Sequence, residues 1–296
     1  MKKYFIFLSC LVLGASAFLA PHVPAAQPLP QRIVSLLPSA TEILFALKAG
    51  DGVIGVTRFC RYPPEAQKKN IVGGLIDVNY EKIYSLKPDL IIVEDVEGDK
   101  KAIFEKMNIP TLSIDTRSVE RVLESIDRIG EAIGEKEKAS ELTNRIQTKT
   151  EFIQKKVEGL PKPRVLITYL REVGTGHIHE VYIAGNQTYF NDLIKIAGGE
   201  NVYQGSERIT SPIVTAEGIL AMNPDVIVEV MGVYTETNVP ADRILKDWDM
   251  LAELDAYKNK RIHLMVNDYA GIPGPRLIKV IDDLARLFHP EINWDE

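Results

Sequence analysis

One pattern occurs twice in this chain and limits its fold more than any other feature. Val78-Asn79-Tyr80-Glu81 leads through a helical stretch to Lys87-Pro88-Asp89-Leu90-Ile91-Ile92, and Val214-Thr215-Ala216-Glu217 leads in the same way to Asn223-Pro224-Asp225-Val226-Ile227-Val228. In each copy a glutamate stands seven residues before Pro-Asp, and Pro-Asp runs straight into a β-branched stretch. Asn79 or Thr215 can cap the helix, the acid sits in the first turn where the helix dipole favours it, and proline stops the helix before the strand. Good capping explains either copy alone. Matching length and order in both predicts two related lobes.

The rest of the chain agrees. Apolar runs at Arg32–Leu36, Val53–Val56, Leu90–Val93, Thr111–Ile114, Arg164–Tyr169, Val226–Val230 and Ile262–Val266 alternate with helical patterns. Runs that are apolar on both faces and spaced by helices read as buried parallel strands, so the fold class is α/β. Between the two groups, Val122, Ile126, Ile129, Ile133, Leu142, Ile146, Ile153 and Val157 recur in steps of three, four and seven. That spacing predicts one long amphipathic helix bridging the lobes, two helices meeting at Gly134 being the alternative.

Lys2 and Lys3 followed by an apolar run to Ala20 and small residues to Ala26 read as a cleaved secretory signal peptide. A lipidated Cys10 would have too short an apolar core before it. The expected organisation is residues 1–26 as signal peptide, 27–117 as N-terminal lobe, 118–158 as bridging helix and 159–296 as C-terminal lobe. Removing the leader leaves Cys60 alone, so no disulfide can form within the chain and stability must come from the core. The mature charge of −8 and the lack of a basic cluster argue against nucleic acid as a partner.

Motifs for catalysis are missing. Gly50-Asp51-Gly52-Val53-Ile54-Gly55 fits a dinucleotide fingerprint in letters only, because it follows a helix and enters a strand where the fingerprint needs the reverse. Nucleophile-elbow, phosphate-loop, zinc-protease and paired CxxC motifs do not occur. What the chain offers instead is aromatic and polar residues at expected strand ends: Phe59, Tyr169 with Arg171, Tyr234, and Asp268 with Tyr269. Such a set suits a pocket with apolar walls and a few placed polar groups, and Tyr62 before Pro63-Pro64 reads as structural. His177 and His179 lie in a glycine-flanked loop after the first strand of the second lobe, where open α/β sheets place ligands. As a zinc site they need further ligands such as Asp268 or Glu94; a surface-loop or β-edge pair of histidines is the more ordinary reading, and contact with an already chelated ligand is favoured over direct ion binding.

Arg32-Ile33-Val34-Ser35-Leu36-Leu37-Pro38-Ser39-Ala40-Thr41-Glu42, Tyr62-Pro63-Pro64-Glu65-Ala66, Leu86-Lys87-Pro88-Asp89-Leu90-Ile91, Ala197-Gly198-Gly199-Glu200-Asn201-Val202 and Gly274-Pro275-Arg276-Leu277 together resemble the periplasmic binding proteins of cobalamin and iron-chelate ABC importers. The resemblance runs in order over nearly the whole mature chain. It implies two Rossmann-like lobes joined by one long bridging helix, a ligand cleft between them, and binding without catalysis or a cofactor. It also implies a partner, the importer's transmembrane subunits, onto whose arginines the acids matching Glu81 and Glu217 dock. Loops matching the cobalamin binder's cleft carry Phe59, Leu75, Glu94 and Ser211, and Asp268 matches an acidic cleft residue. That binder lines its cleft with several tryptophans, whereas the mature chain here has only Trp248 and Trp294. The expectation is a periplasmic monomer that takes cobalamin or a related corrinoid, with a ferric siderophore or haem as alternatives and direct Zn or Mn capture less favoured.

Overall fold

Chains that are apolar on both faces need cover on both faces, and parallel strands with crossover helices supply it. The structure, a computed structural model, describes residues 28–94, 98–206, 208–232 and 238–294. The proposed leader and Tyr234 lie outside the described residues. All seven strands expected from the sequence are present. In the N-terminal lobe, β1 (Ile33–Ser35), β2 (Val53–Val56), β3 (Asn70–Ile71), β4 (Leu90–Glu94) and β5 (Thr111–Ile114) make a wholly parallel sheet in the order β3-β2-β1-β4-β5. Helices α1 (Pro38–Ala46), α2 (Tyr80–Leu86) and α3 (Gly98–Lys106) connect them.

The C-terminal lobe has a mixed sheet in the order β11-β10-β6-β7-β9. Here β6 (Arg164–Leu170), β10 (Val226–Val230) and β11 (Ile262–Met265) are parallel, β7 (Glu180–Ile183) and β9 (Ile213–Thr215) run antiparallel at one side, and short β8 (Glu200–Asn201) pairs with β6. Its helices are α6 (Tyr189–Ile196), α7 (Ala216–Met222), α8 (Ala241–Lys246), α9 (Asp255–Lys258) and α10 (Leu277–Phe288). In both sheets the strand order reverses beside the lobe's first strand. That reversal opens a crevice at the carboxyl ends of the strands.

The repeated sequence is a repeated structure. Asn79 accepts from the Lys82 N–H and Thr215 from the Gly218 N–H, capping α2 and α7. Lys87 and Asn223 then turn left-handed at φ +48° and +40°. Asp89 accepts from the N–H of Arg32, whose guanidinium donates to the Leu86 and Lys87 carbonyls. Asp225 accepts from the N–H of Arg164, whose guanidinium donates to the Met222 and Asn223 carbonyls. An arginine at the start of each lobe's first strand thus closes the end of the helix that leads into the neighbouring strand, α2 before β4 and α7 before β10.

The expectation of a single helix over 118–158 is corrected. The segment forms α4 (Val119–Ala132) and α5 (Lys136–Val157), with Gly134 between them at φ +76°, a conformation that favours glycine. The Glu135 N–H bonds the Gly130 carbonyl at 2.7 Å, closing the end of α4. A Cβ on Gly130 would lie 2.4 Å from that of Ala139, so α5 folds back against α4. The apolar stripe survives the break: Val122, Ile126, Ile129, Leu142, Ile146 and Ile153 are all buried in one core with Ile33 and Ile91 of the first sheet and Val165 and Val228 of the second. The joining element is a helix pair sharing a core with both lobes.

Candidate functional site

The two lobes meet at the carboxyl ends of their strands. Glu42 stands one turn into α1, just past β1, and Tyr62 lies past the end of β2. Opposite them, Asp268 and Arg276 follow β11. The Arg276 guanidinium donates to both Glu42 oxygens, at 3.0 and 2.6 Å, and to Asp268 at 2.7 Å. It also lies 3.8 Å from the centroid of the Tyr62 ring. Fork-to-fork pairing of this kind fixes orientation as well as distance. Burial raises the Glu42 carboxyl above its ordinary range despite the facing arginine. Glu42 and Arg276 were not nominated from sequence as site residues. The available signal was an acid inside the apolar helix Pro38–Ala46, since a buried glutamate demands a partner.

On the N-terminal side, Phe59 is half-buried beyond β2, with the Arg58 guanidinium 5.9 Å from its ring. Arg58 is forked onto Asp77, which holds that exposed carboxyl down at about 2. Leu75, in the loop entering α2, is half-buried and its carbonyl accepts from Lys100. Glu94 ends β4 and accepts from the Thr116 hydroxyl at 3.0 Å. These three side chains therefore come from the carboxyl ends of β2 and β4 and from the loop between β3 and α2.

On the C-terminal side, Tyr169 near the end of β6 stacks on Phe190 at 5.6 Å and hydrogen-bonds Ser211, while burial raises its hydroxyl pKa. Asp268 is half exposed and pairs with Arg276. Burial, and then Asp283, which accepts from its hydroxyl at 2.8 Å, push Tyr269 up to about 12. The Tyr269 hydroxyl also accepts from the Asn267 amide at 2.8 Å.

Arg171 is a correction. Its side chain is 2% exposed and turns into the lobe, 2.7 Å from Glu229 and 2.6 Å from Asp247. A buried guanidinium needs carboxylates, and these two draw it away from the cleft. Burial alone would raise Asp247, but Arg171 and the N–H groups of Gly174 and Gly176 hold it below its ordinary value. The same bonds pin the loop carrying His177 and His179. Those two rings are exposed, with centroids 5.9 Å apart, and no third His, Cys, Asp or Glu joins them in a metal-binding group among the described residues.

Glu81 and Glu217 are exposed in the first turns of α2 and α7. Each helix runs antiparallel to the strand that follows it, so both acids sit at the cleft end of their lobe. A groove of about 790 Å³ runs along the flank of the lobe junction past Phe45, Lys48, Tyr62, Arg145, Arg276 and Lys279. Among the described residues, none of the binding residues expected from sequence lines it.

Residues 33–269 match the periplasmic binding protein family. An ABC transporter substrate-binding lipoprotein of Bacillus subtilis strain 168 is 32% identical over 267 residues, covering 88% of this chain and 81% of that protein. A vitamin B12-binding protein of Vibrio vulnificus strain YJ016 is 25% identical over 260 residues, covering 87% of this chain and 90% of the relative. Among solved structures, the periplasmic haem-binding protein HutB of Vibrio cholerae superposes with a TM-score of 0.74 at 26% identity, covering 88% of this chain and 99% of that one. Two lobes meeting at their carboxyl ends, a shared helical joint and these matches lead to one conclusion: the chain belongs to the periplasmic binding protein family of ABC transporter substrate-binding proteins.

Proposed function

We propose that this chain is exported as a monomer through its cleaved leader, captures cobalamin or a related corrinoid in the interlobe cleft, and delivers it to the importer's membrane subunits by docking through Glu81 and Glu217. The observation that supports the ligand is a set of half-buried apolar side chains at the strand ends of both lobes, Phe59, Leu75 and Tyr169, together with the half-exposed carboxylate of Asp268. A corrin ring edged with amide side chains offers neutral N–H donors to such an acid. Ferric siderophores and haem commonly carry carboxylates or other anionic groups, which the half-exposed Asp268 carboxylate disfavours. A haem iron also calls for an axial ligand, and the hydroxyls of Tyr169 and Tyr269 are already hydrogen-bonded. Haem stays the second reading because of the similarity to HutB and the exposed pair His177 and His179. Binding, and no bond-making step, is the activity assigned.

A thermal melt tests the ligand. Cyanocobalamin at a hundredfold excess over Kd stabilises a native-only binder by about 2.7 kcal/mol, a shift of several degrees in Tm. Haemin and ferrichrome at equal concentration should give less. A clear shift with haemin and none with any corrinoid moves the assignment to haem.

A further inference from the structure

The two matched helices carry more in common than their glutamates. Ile83 and Ile219 are both fully buried and lie two residues after Glu81 and Glu217. They fix the rotation of α2 and α7 about their axes, and the caps and arginine clasps described above hold the helix ends. In that register the residue three places after each glutamate shares its outer face. Those residues are Tyr84, 63% exposed, and Leu220, 37% exposed. The chain entering each helix also leaves an isoleucine in solvent, Ile76 at 95% and Ile213 at 50% exposure.

We infer that each lobe presents a two-part contact, a carboxylate with a large apolar side chain one turn along, and that the importer's membrane surface answers each with a cation beside an apolar hollow. This rests on the docking reading of Glu81 and Glu217 and extends it. Two lobes that otherwise differ keep the same pair of chemistries at matched positions, while the intervening residues at the helix surface, Lys82 and Gly218, share nothing. Carboxylates choose the partner by charge and are screened by salt. Buried apolar contact resists salt and slows dissociation. The tyrosine and leucine therefore supply the share of the affinity that persists at high ionic strength.

The test is binding to the source organism's importer in nanodiscs at 50 and 500 mM NaCl, with melts confirming that each variant is folded. Y84S/L220S should weaken binding about tenfold at both salt concentrations and leave the salt dependence as in wild type. E81Q/E217Q should weaken binding most at 50 mM and flatten that dependence. Wild-type affinity in Y84S/L220S alongside loss in E81Q/E217Q overturns the two-part contact and leaves the glutamate docking standing. Wild-type affinity in both double variants overturns both.

Discussion

The two lobes solve one problem in two ways. Both hold a capped helix, a left-handed residue, Pro-Asp and a parallel strand, closed by an arginine from the neighbouring strand. The N-terminal lobe builds the rest from parallel strands alone, whereas the C-terminal lobe adds antiparallel β7 and β9 and a satellite core around Leu166, Ile227 and Trp248. At the edge of that second core lies the buried group Arg171, Glu229 and Asp247, which ties the β6–β7 loop to the start of the turn after α8. Among the described residues the N-terminal lobe holds no ion group as deeply buried. The shared half serves the outer face that each lobe presents. The differing half shapes what lies beside the cleft.

Breaking the buried group gives the largest expected effect. R171M leaves two buried carboxylates unpaired and should cost about 3–5 kcal/mol in urea unfolding. R171M/E229Q/D247N, which removes the charges together, should recover at least half of that loss. A tolerated R171M shows that the ions do not hold this lobe.

Acid unfolding sharpens the same contrast. The folded Asp247 carboxyl lies below its unfolded value, so its stabilisation is complete above about pH 4 and disappears as pH falls through the folded pKa. D247N should be less stable than wild type at pH 6, and the difference should shrink steadily toward pH 2. A constant difference across that range contradicts the assignment.

The smallest effect separates the two repeats by sign. Lys87 is strained in its left-handed conformation, and its exposed side chain makes no hydrogen bond or ion pair among the described residues, so K87G should gain about 0.5 kcal/mol. Asn223 tolerates the same conformation, and its side chain exchanges hydrogen bonds with Asp255 at 2.8 and 3.0 Å. N223G should therefore lose about 1 kcal/mol. Thermal melts giving the same sign for both would break the comparison.

Local chemistry was legible wherever it is written in neighbouring residues. The seven apolar strands, the caps at Asn79 and Thr215, the stop at Pro-Asp and the duplication could be read because each depends on positions within a turn or two. The glycine triplet at Gly50 was rejected for the same reason, and residues 50–52 do form a short turn leading into β2. Strands β7 and β9 were missed, since each is short and half exposed and takes its place only by pairing with β6 or with each other. Gly134 could be seen as a break, but periodicity continues on either side of it and does not reveal whether a helix proceeds or folds back.

Among the site residues, Arg171 shows the limit most clearly. An arginine at a strand end beside a tyrosine looks like a cleft residue until Glu229 and Asp247, 58 and 76 positions away, claim it. Glu42 and Arg276 are 234 positions apart, and their pairing is invisible until the lobes meet. Residue order settled the lobes, their strands and their repeated outer helices, because propensity and burial pattern act over short stretches. Assembly alone decided which charges face the cleft and which are consumed inside, because a buried charge takes whichever partner the packed chain brings within reach.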